Sequence, residues 1–473
     1  MRKYDVEFIS IIVHTRRCAK ANITRRINFM NPKFRNNIGI CVPEIIFPSK
    51  DVDLTKWACV ACDQYTSQPD YWNKVEEIVG DAPSTLRLML PEIYLEKEGE
   101  AERIIAIRKA MNDYMANGIV ENKGESFVFT RRTVDGKTRN GLVVALDLEC
   151  YDYSKGSTTL IRATEGTIVE RIPPRLKIRE GAPLELPHIL VLIDDENKTV
   201  IEPIASQLDK IEQLYDFDLM MGGGHAEGWL IKDEDMIAGI IKALSGLVDP
   251  KKYGTEMAPL LFAMGDGNHS FATAKANWEK LKANLTEEER KNHPARYALV
   301  ELENVHDDGI VFEPIHRVVF NVDSEAFLGK LMDKLAEQNG KCDIKFFACD
   351  NCKAKYMKEL PEGAHVIPVI IGSKEGYIIV EKPVAQLEVG TLQNALDVLL
   401  KATPGASIDY IHGEAVVREL GSKEHNLGFL LPPMEKSAFF RTVVFDGALP
   451  RKTFSMGEAH EKRYYLECRK IEK

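Results

Sequence analysis

The segment from Leu260 to Leu285 constrains the fold most, because a strand pattern gives way to a helix pattern within a few residues. Leu260–Met264 is continuously apolar and predicts a buried strand. Apolar residues then recur every three or four positions, as on one face of a helix: Phe271, Ala274, Trp278, Leu281 and Leu285. A second apolar run, Ile189–Ile193, suits a central strand covered on both faces. These patterns predict an α/β protein built on a mixed sheet.

The loop Gly265–Ser270 joins that strand to that helix and predicts an anion-binding site. The first turn of a helix carries free N–H groups at the positive end of the helix dipole, which suits a phosphate. Asp266 and His269 would add an acid–base pair or a metal ligand, so they are predicted catalytic residues. The predicted phosphate contacts of the loop are Gly267, Asn268 and Ser270. The residues alone leave a second interpretation open, a tight turn in which Ser270 only caps the helix.

An arginine-rich stretch between residues 160 and 180 predicts a second part of the same site, since guanidinium groups bind phosphates with paired hydrogen bonds. Its residues with a predicted role in nucleotide binding are Arg162, Thr164, Glu165 and Arg175. Pro173 and Pro174 stiffen the stretch, which favours a fixed binding element. The alternative is a solvated face whose arginines form ion pairs with neighbouring glutamates.

Composition limits the classes of protein to which this chain can belong. The chain has 473 residues, of which 44% are hydrophobic, and this is enough for two or three packed units. Its net charge is 62 − 72 = −10, which argues against non-specific binding to nucleic acid. No apolar run in the sequence approaches the ~20 residues of a membrane span. Nine cysteines without regular spacing, and the lack of a secretory signal, predict free thiols and a cytoplasmic location.

The chain is expected to divide into four segments. Residues 1–29 carry seven Lys or Arg and two acidic residues, so they would form a basic extension. A targeting peptide is one interpretation, and we favour a flexible tail or a start codon assigned too early, with Met30 as the working start. The other segments are an N-terminal α/β region at 30–200, a core with the Asp-Gly-Asn-His loop at 201–300 and a C-terminal α/β region at 301–473. Within the core, Asp209–Tyr215 is predicted to be a short helix.

Two Cys-x-x-Cys pairs, Cys59 with Cys62 and Cys349 with Cys352, raise the question of a zinc site. Cys59 and Cys62 lie in an apolar, strand-like run, where side chains three positions apart face opposite ways. Zinc-binding cysteines usually lie on tight turns instead. We therefore predict no zinc site.

Several short motifs, each weak alone, together resemble the bacterial family DUF1015, a domain of unknown function, along nearly all of residues 30–473. They are Val60-Ala61-Cys62-Asp63-Gln64-Tyr65-Thr66-Ser67-Gln68, Arg162-Ala163-Thr164-Glu165-Gly166-Thr167, Arg171-Ile172-Pro173-Pro174-Arg175, Pro187-His188, Asp266-Gly267-Asn268-His269, Pro314-Ile315-His316-Arg317 and Pro450-Arg451-Lys452-Thr453. The Asp-Gly-x-His loop is in turn similar to the nucleotide loop of the ParB/sulfiredoxin-like superfamily, which includes free-serine kinases. This resemblance implies a ParB/sulfiredoxin-like core with additional α/β regions. Where that superfamily usually has an arginine, this chain has Ser270, so Arg162, Arg175 or Arg317 would supply the cation.

The resemblance implies a phosphotransferase that moves a phosphoryl group from ATP or ADP, with Mg²⁺, to a small hydroxy compound, with free L-serine the first to test. Asp63 or Asp266 would accept the hydroxyl proton. Polar residues at apparent strand ends would bind the substrate: His188, His316, Arg317 and Lys452.

Two other functions stay open at this point. One is a ParB-like protein that senses nucleotides without catalysis, and the other is a metal-assisted phosphoester hydrolase that uses Asp266 and His269. In each case the expected partners are a nucleotide and a small molecule, with homodimer formation as a further option and no membrane.

Overall fold

Phe34 and residues 36–154, 156–254 and 257–472 are described by a computed structural model. The basic extension predicted at residues 1–29 lies outside the described residues. The strands, in chain order, are β1 (Ile40–Cys41), β2 (Glu44–Pro48), β3 (Val120–Glu125), β4 (Phe127–Val134), β5 (Lys137–Asp147), β6 (Tyr151–Asp152), β7 (Ile161–Arg162), β8 (Leu184–Glu185), β9 (Leu190–Ile193), β10 (Glu212–Asp218), β11 (His225–Ile231), β12 (Phe262–Asp266), β13 (Tyr297–Asn304), β14 (Phe312–Phe320), β15 (Cys342–Lys345), β16 (His365–Ile371), β17 (Lys374–Val380), β18 (Ser407–His412), β19 (Leu427–Phe429), β20 (Phe454–Met456) and β21 (Arg469–Lys470).

The helices alternate with these strands along the chain. In the described ranges they are α1 (Leu54–Trp57), α2 (Pro69–Val79), α3 (Glu100–Ala116), α4 (Ile172–Arg179), α5 (Glu202–Ala205), α6 (Glu234–Gly246), α7 (Asn268–Lys282), α8 (Glu287–Asn292), α9 (Ser324–Asn339), α10 (Asp350–Lys358), α11 (Glu388–Ala402), α12 (Glu414–Gly421) and α13 (Lys436–Asp446). None of the described helices is both long enough and apolar enough to cross a bilayer.

The first large sheet contains ten strands of the described chain. Its order is β10-β11-β4-β5-β13-β9-β12-β7-β6, and β1 pairs with the end of β5. Near its centre, β9 runs parallel to β13 and antiparallel to β12. The run Ile189–Ile193 is thus buried in a central strand, as its continuous apolar pattern predicts. The predicted mixed α/β architecture is confirmed.

The helix predicted at Asp209–Tyr215 is wrong, because most of this stretch belongs to strand β10. β10 pairs antiparallel with β11, and Tyr215 is buried against the sheet while its neighbour Asp216 is exposed. The alternation of buried and exposed side chains has the period of two that a strand requires, and antiparallel pairing with the next strand along the chain stabilises it.

Each face of the first sheet is covered by different elements. On one face, α6 and α7 bury apolar side chains against the sheet, among them Phe271 and Trp278. On the other face lie α2, α3 and the chain's last described segment, whose buried residues include Tyr464 and Leu466. The last described segment therefore packs on the first sheet, although the strands of the second sheet precede it in the chain.

The second sheet has the order β15-β17-β16-β19-β14-β18, with β20 paired to the start of β14.

The boundary predicted at residues 300 and 301 falls inside β13, which belongs to the first sheet. The boundary predicted at 200 and 201 falls between β9 and β12, which are paired neighbours in that sheet. Hydrogen bonding along the first sheet thus joins strands from the segments 30–200 and 201–300.

Candidate functional site

The start of α7 leaves three backbone donors open. β12 ends at Asp266, and Gly267 turns the chain with φ +80°, so that α7 begins at the next residue. A Cβ atom at Gly267 would lie 3.1 Å from the Cα atom of Ile189, so only glycine fits this turn without strain. In the described part of the chain, no hydrogen bond occupies the N–H groups of residues 268–270. An anion could therefore bind there at the positive end of the helix dipole.

Asn268 and Thr164 bind each other and so fix the segment that lies over the helix start. The Thr164 N–H donates to Asn268 Oδ1 at 3.1 Å, and Asn268 Nδ2 donates to Thr164 Oγ1 at 3.3 Å. Thr164 Oγ1 in turn donates to the Met264 carbonyl. These two predicted nucleotide contacts use their side chains to position the loop, and the free N–H of Asn268 is what remains for a ligand.

Asp266 is ionised and held in place at both oxygens. Its Oδ1 accepts the Gly267 N–H at 2.8 Å, and its Oδ2 lies 3.1 Å from Lys462 Nζ. Burial by itself would raise the pKa of Asp266, but the charge of Lys462, together with hydrogen bonds from Lys462 and from the Gly267 N–H, lowers it below its usual value. Lys462 therefore places a cation beside the open amides.

His188 presents an N–H to the same opening. Tyr465 is buried, and its hydroxyl accepts the Cys62 N–H at 3.2 Å, so its own proton is left to donate to His188 Nδ1 at 2.8 Å. This fixes the tautomer with the proton on Nε2, which lies 3.0 Å from Ser270 Oγ and 4.0 Å from Asp63 Oδ2. Asp63, whose side chain is 29% exposed, thus faces the same rim.

His269 is neutral near pH 7, and one of its ring nitrogens already accepts a hydrogen bond, so that nitrogen is not available as a base. Burial, with Arg171 and Arg175 nearby, lowers its pKa to about 4. Its Nε2 accepts the Ile168 N–H at 3.3 Å, so the ring proton lies on Nδ1. Between His269 and Asp266, the predicted acid–base pair, no hydrogen bond is found among the described residues.

Glu165 and Lys452 close the other side of the loop. Residues 449–452 lie between α13 and strand β20 of the second sheet, and Glu165 forms an isolated parallel bridge with Leu449. Burial raises the pKa of Glu165, and the charge of Lys452 only partly offsets this effect. Both predicted residues therefore lie at the loop, and Lys452 reaches it through a segment that is distant in sequence.

The two predicted arginines differ in what they can offer a ligand. Arg162 is buried and donates to three backbone carbonyls, those of Thr159, Ala258 and Pro259, at 2.8 to 3.1 Å. Arg175 pairs with Glu92 and donates to the Arg171 carbonyl. Arg162 therefore holds two loops together, while Arg175 lies at the wall of a cavity.

That cavity has a volume of about 150 Å³ and opens beside His188 and Ser270. Most of its wall is apolar and comes from Leu90, Met111, Leu184 and similar side chains. One engineered cavity of about this size binds benzene, so the space is adequate for a small organic group.

His316 and Arg317 lie in β14 of the second sheet, and among the described residues neither side chain forms a hydrogen bond with residues 266–270. His316 Nδ1 accepts the Leu431 N–H at 3.0 Å. Arg317 is fully buried and donates to Gln393 Oε1 and to the carbonyls of Ile315 and Arg451. The structure does not bring these two predicted substrate contacts together with the α7 loop.

The two Cys-x-x-Cys pairs do not form a common site. Cys59 is buried with its Sγ 3.5 Å from Ser84 Oγ, while Cys349 and Cys352 are exposed at the start of α10. Within the described ranges, the only set of three or more side chains spaced to hold a metal is Asp194, Glu196 and His306.

Lys462 and Tyr465 are the site residues that sequence reasoning missed. Both follow the second sheet and reach the α7 loop only because residues 462–470 pack back onto the first sheet. Arg463 anchors this return through Glu301 of β13, and it also pairs with Glu467 of the same segment at 2.6 Å. No local pattern in the sequence indicates such a long-range contact.

Comparison with known proteins gives a family and distant structural likenesses. A family model described as "Protein of unknown function (DUF1015)" matches residues 46–399. No curated protein matches the sequence. Similar solved structures include a conserved hypothetical protein from Pyrococcus furiosus (11% identity, 68% of this chain and 90% of that one, TM-score 0.31). A free serine kinase in complex with AMP (10% identity, 70% and 91%, TM-score 0.34) and SbnI with a C-terminal truncation from Staphylococcus aureus (12%, 68% and 82%, TM-score 0.30) are also similar. With so little identity and such low TM-scores, these likenesses decide nothing about activity.

Proposed function

We propose that this chain, which belongs to the DUF1015 family, binds ATP or ADP with its phosphates at the start of α7 and transfers a phosphoryl group to a small hydroxy compound. The single observation that supports this most is the set of three N–H groups at residues 268–270 that have no acceptor among the described residues, next to the Asp266–Lys462 ion pair and a cavity. Phosphoryl transfer depends mainly on positioning and charge neutralisation, and such a group of donors supplies both.

The phosphate would be held from several directions. The N–H groups of residues 268–270 would donate at the helix terminus, where the helix dipole adds to the attraction. His188 Nε2 and the Ser270 hydroxyl would donate from the rim, since Tyr465 fixes the His188 proton on that nitrogen. Lys462 would balance the phosphate charge.

Mg²⁺ would reach this site mainly with the nucleotide. Magnesium is usually bound by one or two carboxylates together with substrate phosphates, rather than by a complete set of protein ligands. Asp266 fits that role because its pKa is lowered and its carboxylate is ionised, although Lys462 now holds one of its oxygens. When bound, the ion would neutralise charge on the phosphate oxygens.

We assign the role of proton acceptor to Asp63. Its carboxylate is partly exposed, and Oδ1 accepts a hydrogen bond from Gln64 while Oδ2 lies at the rim near His188. Asp266 is less suitable as the base, since both of its oxygens are engaged and its pKa is low. General base catalysis of this kind requires an accessible oxygen close to the acceptor hydroxyl.

The acceptor would lie between Asp63 and the cavity, with its hydroxyl at the rim. The polar atoms deep in the cavity are largely engaged: Glu185 accepts from Arg179, from Arg469 at 2.8 Å and from the Leu299 N–H at 2.9 Å. L-Serine remains the first acceptor to test. The apolar wall makes threonine and hydroxy compounds with a larger apolar part the next ones.

The test is to incubate the purified protein with ATP or ADP, Mg²⁺ and a panel of hydroxy compounds, and to follow products by ³¹P NMR. A new phosphomonoester that requires the acceptor is the expected result. Nucleotide binding without turnover would support the sensing function instead, and release of inorganic phosphate without an acceptor would support a hydrolase. Absence of any nucleotide binding would overturn all three.

A further inference from the structure

Cys349 and Cys352 lie together at the exposed start of α10, far in sequence from the α7 loop. Cys349 is the residue before the first helical turn, and its Sγ accepts the Cys352 N–H at 3.2 Å. Both thiols are exposed to solvent. The helix that follows has nine residues, Asp350–Lys358, at the edge of the second sheet where β15 ends.

Three of the other described cysteines are unsuited to reaction because they are buried. Cys59 and Cys468 are fully buried, and burial raises the pKa of each thiol, so both remain protonated and inaccessible. Cys62 is likewise held as a thiol by its surroundings in the cavity wall, where burial raises its pKa. Cys349 and Cys352 therefore differ from these in access as well as in local electrostatics.

We propose that Cys349 and Cys352 form a redox-active dithiol that exchanges reversibly with disulfides of low molecular weight. In the first step the Cys349 thiolate attacks a disulfide R–S–S–R, which forms a mixed disulfide and releases one thiolate RS⁻. In the second step Cys352 loses its proton and attacks the Cys349 sulfur, which releases the second RS⁻. Two protein thiols are thus oxidised to one disulfide, and one R–S–S–R is reduced to two RSH.

The local geometry assigns different roles to the two sulfurs. Hydrogen bonds from the thiol and the N–H of Cys352 hold the pKa of Cys349 below its usual value. The same contact raises the pKa of Cys352. The Cys349 side chain, from the residue before the first turn, folds over the Cys352 N–H, and its thiol also forms a hydrogen bond with the Cys352 thiol, so the two sulfurs can be joined without unfolding the helix. Cys349 is therefore the attacking thiolate and Cys352 the resolving thiol.

The test uses the full chain, oxidised glutathione and mass spectrometry of alkylated peptides. The wild type should give a peptide that links Cys349 to Cys352 and that separates again with a dithiol reductant. Cys352→Ser should instead accumulate glutathione on Cys349, because the second step is blocked. Its matched control, Cys349→Ser, should accumulate glutathione on Cys352 roughly tenfold more slowly, since it lacks the favoured thiolate.

Two results would overturn the proposal. One is equal rates of glutathione addition in the two single variants, which would mean that neither thiol is activated. The other is wild-type protein that carries two glutathione groups and no linked peptide. Both positions are exposed, so thermal melts of the variants should match the wild type and exclude unfolding as the cause.

Discussion

Two groups of polar residues in this molecule invite comparison: those around the start of α7 and the pair His316 and Arg317 in the second sheet. Both contain charged groups close to buried strands. In the second sheet, each of the three guanidinium nitrogens of Arg317 donates to an oxygen of the chain itself. Around α7, the N–H groups of residues 268–270 have no such acceptor in the described part of the chain. A polar group whose partners lie within the chain stabilises the fold, whereas one that lacks them is available to a ligand.

The largest expected effect is a fall in the rate of phosphoryl transfer when Asp63 is replaced. We expect Asp63→Asn to lower the rate of phosphoryl transfer roughly 10²- to 10⁴-fold, since an amide cannot accept the hydroxyl proton. Nucleotide affinity and thermal stability should change little, because this side chain is partly exposed. Single-turnover kinetics at saturating nucleotide measures the rate. An unchanged rate would remove Asp63 from the chemistry and leave Asp266 as the base to test.

Replacement of Arg317 should lower the stability of the fold and leave nucleotide affinity unchanged. Arg317→Met keeps much of the side-chain volume but leaves buried acceptors without donors, and we expect a loss of about 3 kcal/mol in the free energy of unfolding. Denaturant unfolding measures this loss. Nucleotide affinity of the folded variant should equal that of the wild type, and a clear fall in affinity would show that the two groups of residues are coupled.

A smaller effect is expected at Lys462. Lys462→Met removes the cation beside the open amides, so the nucleotide Kd should rise about tenfold, and the rise should shrink at high salt. Lys470→Met is a matched control, because this exposed lysine lies in the same returning segment, in β21. Isothermal titration calorimetry at two salt concentrations distinguishes the outcomes. Equal Kd values in both variants would show that Lys462 only holds Asp266.

The smallest effect concerns acid stability. Burial lowers the pKa of His269 to about 4 and also lowers the pKa of His316. An unfolded histidine takes up a proton near pH 6.5 and the folded one resists it, so the stability due to each neutral ring is complete above pH 6.5 and is lost as the pH falls below it, down to about pH 4 for His269. His269→Gln and His316→Gln should both weaken this pH dependence in thermal melts. Only His269→Gln should also alter nucleotide affinity at pH 7, and the same change in His316→Gln would contradict the comparison.

Local patterns in the sequence predicted the elements around the site because those elements depend on neighbouring residues. The strand, the turn at Gly267 and the helix that follows are set by apolar spacing and by glycine, and all three are present. The stretch from Glu212 to Asp218 was misassigned because a short segment can suit either period until its partner strand is known.

The site itself could be predicted only in part from the sequence. The loop at residues 266–270 was found because its chemistry is contiguous. Lys462 and Tyr465 were missed, since they reach the loop through a tertiary contact almost 200 residues away. The sequence also could not show that the donors of Arg162 are used by carbonyls while the N–H groups of the loop are not. That distinction depends on the packing of distant segments.

A crystal structure with Mg²⁺ and a non-hydrolysable ATP analogue tests the central claim most directly. We expect phosphate oxygens within hydrogen-bond distance of the N–H groups of Asn268, His269 and Ser270, with Lys462 close by. An analogue bound elsewhere on the chain, or α7 with no ligand at its start at saturating nucleotide, would contradict it.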